Sequence, residues 1–408
     1  MSELQVSHNG AKIKGFVPLE SSKSESNRAL IIQALSAGNT QLENVSRAND
    51  TQLLQRLLAS SEKHINAEDA GTSYRFLTAY YAVKNGVGVL TGTERMKQRP
   101  IEKLVDALRL LGAKIIYLEN EGYPPLEIIP CAKQLTNQLT IPAHISSQYI
   151  SALLLVAPYL ENGLKLTLEG KVASRPYINM TLSLMNAFGA ETTWENDTIH
   201  VNPVPYQSGV FQVESDWSGA SYWYAIVALA EEAEIELIGL KKTSTQGDSA
   251  IADIMYGLGV ETEYKERSIV LRKKASNTSF EYDFSDCPDL AQTVIVVCAM
   301  KKIASKFSGL ESLHIKETDR VHALQVELSK FGIRLYASGN AWALDGETPV
   351  FKPRTVIETY EDHRMAMALA PIALMHPVHI KDPEVVKKSY PTFWEHLSTV
   401  GFVITPEK

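Results

Sequence analysis

No stretch of this chain approaches the ~18 apolar residues that a membrane-spanning helix needs. Cysteine is scarce. Cys131, Cys287 and Cys298 are the three in 408 residues, spaced too widely to read as a disulfide framework or a zinc pattern. No two histidines stand at metal-ligand spacing, so no metal is expected. Positive charge is also short. Forty lysines and arginines face 47 aspartates and glutamates, a formal net charge of −7. That balance argues against nucleic acid or an anionic membrane as partner. The opening residues, MSELQVSHNGAKIKG, carry no apolar signal region and no Arg/Ser-rich leader. Together with the cysteine usage, this makes the cytoplasm the expected location. What is present is ordinary globular composition, 45% hydrophobic and 21% charged, long enough for two or three domains.

The segment SSKSESNRAL (21–30) contains the Lys-Ser pair of a phosphate-binding P-loop, Lys23-Ser24, without its glycines. Those glycines let the backbone N–H groups wrap a nucleotide's phosphates, so a P-loop hydrolase is excluded. Glycine does occur in a regular place. LRLLGAKIIYL, LMNAFGAETTW, IMYGLGVETEY, ELSKFGIRLYA and HLSTVGFVI each join an apolar helical run to a strand-like run through a glycine. These glycines, Gly112, Gly189, Gly259, Gly332 and Gly401, stand 69 to 77 residues apart. One such stop is unremarkable, but five at near-equal spacing indicate a repeated supersecondary unit. Counting back from Gly112 leaves room for a sixth unit ending near residue 42. The helical run there, TQLLQRLLASSEK (51–63), has no closing glycine, so that first unit is expected to be shortened. Each unit is expected to hold two amphipathic helices among short strands. Six units make two lobes of three. No Gly/Ser-rich linker marks the join, which the repeat puts near residue 213.

Helix starts collect an unusual set of residues. Ser22 to Glu25 reads as a capping box, with Lys23 and Ser24 in the first turn and Arg28 on the same face as Ser24. A cation in a first turn opposes the helix dipole, so it needs a neighbouring acid or a bound anion. AGTSYRFL opens a helix with Gly71, Thr72 and Arg75. SSQYISALL opens one with Ser146, Ser147 and Gln148. KETDRVHAL contributes Lys316, Glu317 and Arg320, and YEDHRMAMAL contributes Asp362, His363 and Arg364. Loops add Arg95 in TERMKQRP and Lys388 in VKKSYP. Helix N-termini and guanidinium forks suit phosphate and carboxylate. Several such starts around one cleft would hold a multiply charged anion despite the acidic total. Asp289 in CPDLAQT and Glu317 lie among these cations. Asp289 reads as an N-cap, the commoner role for such an Asp, or as a proton-transfer group, and Glu317 as an ion-pair partner or as a second such group. The aromatic segment DWSGASYWYA reads as a packed helix rather than a base-stacking surface.

In this order, SKSESNRAL, AGTSYRFL, RMKQRPI, SSQYISALL, SRPY, IKETDR, DHRMAMALA and KKSYP span nearly the whole chain. Together they resemble the 5-enolpyruvylshikimate-3-phosphate synthase (3-phosphoshikimate 1-carboxyvinyltransferase) family. The resemblance implies a two-lobed inside-out α/β barrel of six βαβαββ units. With the first unit shortened, residues 1–20 would join 214–408 in an upper lobe, and 21–213 would form the lower lobe. It implies transfer of the enolpyruvyl group of phosphoenolpyruvate to the 5-hydroxyl of shikimate 3-phosphate, by a monomer without cofactor. By the same resemblance Lys23, Ser24, Arg28, Ser146, Ser147, Gln148, Ser174, Tyr177, Asp289 and Lys316 bind shikimate 3-phosphate. Lys23, Gly71, Arg95, Gln148, Arg320, Arg364 and Lys388 bind phosphoenolpyruvate. Asp289, Glu317 and Lys23 carry the proton transfers.

Three features depart from the family's usual pattern. Glu20-Ser21 replaces a common Pro-Gly, Asp69 a common Asn, and Ser312 an Asn that often helps hold the phosphate. The nearest rival is the family acting on UDP-N-acetylglucosamine, which carries a reactive Cys in the loop aligned with TERMKQRP. This loop has none. A non-catalytic phosphate binder would have no use for Asp289 and Glu317 among the cations.

Overall fold

A computed structural model of the chain describes residues 3–10, 12–36, 38–84, 88–143, 146–172 and 174–407. It divides into two compact units. One comprises Met1–Ser22, Arg47–Asn49 and Glu214–Lys408, the other Lys23–Ser46 and Asp50–Val213.

The α-helices are α1 (Lys23–Leu35), α2 (Asn49–Ala59), α3 (Gly71–Val83), α4 (Glu102–Leu111), α5 (Ser147–Val156), α6 (Arg175–Ala187), α7 (Trp217–Leu229), α8 (Ile251–Gly257), α9 (Ala291–Met300), α10 (Arg320–Ser329), α11 (His363–Leu369) and α12 (Phe393–Thr399). They alternate between two kinds. The even-numbered ones are partly exposed. In α4 (EKLVDALRLL), Leu104, Val105, Leu108 and Leu111 face inward at helical spacing while the charged residues face out. The odd-numbered ones differ from the amphipathic expectation. In α9 (AQTVIVVCAM) every residue is buried, and α7 buries all but two. Helices apolar on every side belong at the centre of a lobe. Accordingly α1, α3 and α5 pack on one another in one unit, and α7, α9 and α11 in the other. Each fully buried Leu, Ile or Val there contributes about 2 kcal/mol.

Around these helix triads stand the sheets, in one repeated order. Gln138–Pro142 pairs parallel with Leu164–Glu169, which pairs antiparallel with Thr198–Val201, which pairs antiparallel with Thr192–Glu195. Four other sheets repeat that pattern. α3, α5, α9 and α11 each connect a parallel pair, and α4, α6, α8 and α10 each lead to an outer hairpin. Leu164, Leu166 and Leu168 show why such strands lie flat on the helices: alternate residues are apolar and buried. Five glycines turn α4, α6, α8, α10 and α12 into the strands that follow them at positive φ, from 72° at Gly332 to 116° at Gly112. A Cβ at Gly112 would also stand 2.5 Å from the Lys133 carbonyl oxygen, so glycine is required there twice over.

The sixth sheet has two strands, Val210–Gln212 parallel to Gln41–Glu43. Its hairpin is missing, because α2 leads straight to His64–Asn66, the first strand of the next unit. This is the shortened first unit, and the fold is the inside-out α/β barrel of six βαβαββ units. The N-terminal strand Glu3–His8 pairs with Val378–Lys381 and Phe402–Glu407, so the two ends of the chain share one sheet. No described helix is long and apolar enough to cross a membrane.

Candidate active site

The starts of α1, α3 and α5 lie together. Asp50, buried in the first turn of α2, joins two of them: its Oδ2 accepts from Lys23 Nζ at 3.2 Å, and its carbonyl accepts from Ser73 Oγ at 3.2 Å. Gln148, in the first turn of α5, joins the others. Its Oε1 accepts from Arg75 Nη1 at 2.7 Å and its Nε2 donates to Thr72 Oγ1 at 3.0 Å. Ser146 caps α5, accepting from the Gln148 amide.

Arg28 is buried behind this rim. Its Nε donates to Thr181 Oγ1 at 2.7 Å and its Nη1 to the Ser24 carbonyl at 2.8 Å. Its Nη2 reaches Ser151 Oγ and the Tyr177 carbonyl, and its guanidinium sits 5.4 Å from the Phe76 ring centroid. Burial pushes its pKa down to about 10, which still leaves it charged at neutral pH. Ser174 stands at φ 54°, a left-handed residue that starts α6.

Gly71 shows why a side chain is excluded at the start of α3. A Cβ there would come within 2.5 Å of Arg99 Nη1 and 2.8 Å of Arg75 Nη1. Thus Arg99 and Arg75, rather than Arg95, stand against Gly71. Arg95 is exposed and donates to Gln98 Oε1 at 3.3 Å. Tyr149 organises this corner, with Arg75 over its ring at 5.4 Å and its hydroxyl donating to the Pro100 carbonyl. Arg99 Nε is buried without a hydrogen-bond partner among the described residues. Asp69 is exposed.

The second cluster belongs to the other unit. Asp289 caps no helix, so the N-cap reading does not hold. α9 begins two residues later, after Leu290. Its carboxylate instead accepts from Arg320 Nη1 at 3.0 Å and from Arg364 Nη2 at 2.9 Å, with Lys316 Nζ at 3.8 Å. Arg320, 2% exposed, continues the network. Its Nη2 donates to Glu317 at 2.7 Å and its Nε to the fully buried Asp362 at 2.7 Å. Asp362 also caps α11, accepting from the Arg364 amide at 2.9 Å.

Three cations, Lys316, Arg320 and Arg364, therefore meet three carboxylates, Asp289, Glu317 and Asp362. Burial disfavours charge on Asp289, yet Arg364, Lys316 and Arg320 hold its carboxyl well below the usual carboxylate range. Burial lowers the Lys316 pKa, partly offset by Asp289. Ser312 is half-buried in the 3-10 turn Glu311–Ile315. Lys388 ends the 3-10 turn Pro383–Lys388, which packs on α11.

Asp50, Arg75, Arg99 and Asp362 were not among the site residues expected from sequence. The helix-start pattern held Arg75 and Asp362, and RMKQRPI held Arg99, but nothing in the sequence singled out Asp50.

This arrangement of helix triads and outer sheets is the fold of solved enolpyruvyl transferases. Along its whole length the chain superposes on an EPSP synthase from Acinetobacter baumannii, with a TM-score of 0.82 at 21% identity and all of both chains covered. It also superposes on the enolpyruvyl transferase NikO from Streptomyces tendae, with a TM-score of 0.75 at 15% identity, covering all of this chain and 99% of that one. At such identities the likeness establishes the fold.

Sequence narrows the class further. The family profile described as EPSP synthase (3-phosphoshikimate 1-carboxyvinyltransferase) matches residues 7–60 and 53–397. A 3-phosphoshikimate 1-carboxyvinyltransferase of Bacteroides fragilis (strain YCH46) is 50% identical over 399 residues, 97% of each chain. One from Sulfurovum sp. (strain NBC37-1) is 36% identical over 95% of this chain and 97% of its own. The chain belongs to the EPSP synthase family.

Proposed function

We propose how this chain performs the family's reaction, which moves the enolpyruvyl group of phosphoenolpyruvate to the 5-hydroxyl of shikimate 3-phosphate and releases phosphate, toward chorismate and the aromatic amino acids. The observation that carries the reading is the Asp289 carboxylate held by Arg320 and Arg364. An incoming phosphoenolpyruvate draws those guanidiniums toward its own phosphate and carboxylate. Asp289 then loses the cations that keep it a weak base. It gains basicity when the 5-hydroxyl needs a proton acceptor.

Glu317 and Lys23 deliver a proton to the methylene carbon of phosphoenolpyruvate. The 5-hydroxyl attacks the neighbouring carbon while Asp289 takes its proton. A tetrahedral intermediate forms, phosphate leaves, and the methyl group returns a proton to the group that delivered it. Preorganised cations stabilise the charge that develops on the departing phosphate.

Shikimate 3-phosphate is bound by Lys23, Ser24, Arg28, Ser146, Ser147, Gln148, Ser174, Tyr177, Asp289 and Lys316. Gly71, Arg75, Arg99, Gln148, Arg320, Arg364 and Lys388 serve phosphoenolpyruvate, with Lys23 touching both. The unsatisfied Arg99 Nε and the approach of its guanidinium to Gly71 support Arg99 as the ligand from this loop, ahead of the exposed Arg95. The protein works as a monomer in the cytoplasm.

The test is phosphate release by purified protein. Release should require both phosphoenolpyruvate and shikimate 3-phosphate, and should persist in a chelator. Faster release with UDP-N-acetylglucosamine would overturn the reading.

A further inference from the structure

Two adjacent residues just before α11, Tyr360 at φ 55° and Glu361 at φ 56°, both lie in the left-handed region. The Asp362 amide donates back to the Thr359 carbonyl at 2.9 Å, closing a four-residue turn over them. A turn with both central residues at positive φ favours Asn and Gly, which reach that region with little strain. Tyr and Glu do not, so the turn is strained and something outside it must hold it.

The support lies on α10. Arg320 opens that helix, and Glu327 follows seven residues later on the same face. Glu327 is fully buried. It accepts from the Tyr360 hydroxyl at 2.7 Å, from Lys330 Nζ at 2.6 and 2.8 Å, and from the Glu358 amide at 3.3 Å. The segment 358–362 therefore lies along α10 and is fastened at two points. Tyr360 is tied to Glu327 at one, and Asp362 to Arg320 at the other. The second fastening feeds the active cluster. Asp362 holds the Arg320 guanidinium from one side and the Arg364 amide from the other, and both arginines hold Asp289.

We propose that Tyr360, through Glu327, is a positioning residue for enolpyruvyl transfer. Its hydroxyl keeps the Thr359–Asp362 turn in its strained form, and the turn aims Asp362 so that Arg320 and Arg364 stand where phosphoenolpyruvate is met. This rests on the function proposed above. The hydroxyl touches no reacting atom and acts only through the geometry of the two arginines. Loss of the tether lets the turn relax toward ordinary φ and shifts Asp362.

Tyr360→Phe keeps the ring and removes the tether. Its kcat/KM for phosphoenolpyruvate should fall roughly 10- to 100-fold, the scale of a small misplacement of catalytic groups, with KM for shikimate 3-phosphate changed far less. The Arg364 amide, bonded to Asp362, should exchange its hydrogen faster. Adding Glu361→Gly removes strain from the turn and should restore most of the activity and the slow exchange. A merely structural tyrosine would lower stability without setting the kinetics for phosphoenolpyruvate apart from those for shikimate 3-phosphate.

Wild-type kcat/KM in a folded Tyr360→Phe protein would overturn the proposal. So would a lower melting temperature with activity intact, or a folded Tyr360→Phe/Glu361→Gly protein that stays impaired. If Tyr360→Phe alone does not fold, the double variant decides. Wild-type protein assayed alongside separates the two readings. A wild type that releases no phosphate with both substrates contradicts the function, while exchange at the Arg364 amide still tests the tether.

Discussion

Replacing Asp289 by Asn tests the carboxylate clamp and separates its two roles. Asn keeps the size and one carbonyl oxygen but turns an acceptor into an amide donor facing a guanidinium. The balance of three cations and three carboxylates becomes three against two. Arg320 keeps Glu317 and Asp362, each at 2.7 Å, while the Arg364 Nη2 loses its carboxylate at 2.9 Å. One charge-assisted hydrogen bond is worth about 1.5–3 kcal/mol. Asp289 retains 17% side-chain exposure, so water softens the loss, and about 1–3 kcal/mol of destabilisation is expected. Turnover should fall far more, by roughly 10² to 10⁴, because the acceptor for the 5-hydroxyl proton is gone. Binding of inorganic phosphate should tighten, since a competing carboxylate has left the arginines. Urea unfolding, steady-state kinetics and equilibrium dialysis give the three numbers. Turnover within about threefold of wild type, well under the acid–base scale, would refute the reasoning and reduce Asp289 to an ion-pair partner.

Arg28→Lys removes a planar fork that serves Thr181, Ser24, Ser151 and Tyr177. It should cost about 2 kcal/mol or more in urea unfolding and raise KM for shikimate 3-phosphate. Arg99→Gln should raise KM for phosphoenolpyruvate at least tenfold, about 1.4 kcal/mol, while Arg95→Gln changes it little; the reverse order would return the role to Arg95. Burial opposes charge on Asp289, but Arg364, Lys316 and Arg320 hold its folded pKa below the unfolded value of about 3.9. Its stabilising contribution is therefore complete above about pH 4 and is lost as pH falls from there toward the folded value. Unfolding free energies measured from pH 5 to pH 2 should fall less steeply in Asp289→Asn than in wild type.

Much of the fold was legible because its punctuation is chemical. The glycines that close five even helices sit at positive φ, where other residues are strained, so their spacing exposed the repeat. The absence of such a glycine after α2 matched a missing hairpin. The odd helices were misread as amphipathic because a short apolar run looks alike whether one face or every face is buried. The candidate site was legible as a set of cations at helix starts, but not as pairs. Asp50 meets Lys23 across 27 residues and Asp362 meets Arg320 across 42, contacts that only the packing of α2 on α1 and of α11 on α10 creates. Arg95 and Arg99 flank one 3-10 turn, and sequence does not say which of them turns inward toward Gly71.

Phosphoenolpyruvate carrying heavy oxygen in the bridge between carbon and phosphorus tests the central claim most directly. Attack of the 5-hydroxyl on carbon, followed by loss of phosphate, breaks the carbon–oxygen bond. The account predicts that, with shikimate 3-phosphate present, all of the label leaves in inorganic phosphate and none remains in the enolpyruvyl ether. Unlabelled phosphate would mean cleavage between oxygen and phosphorus, and would contradict enolpyruvyl transfer by this protein.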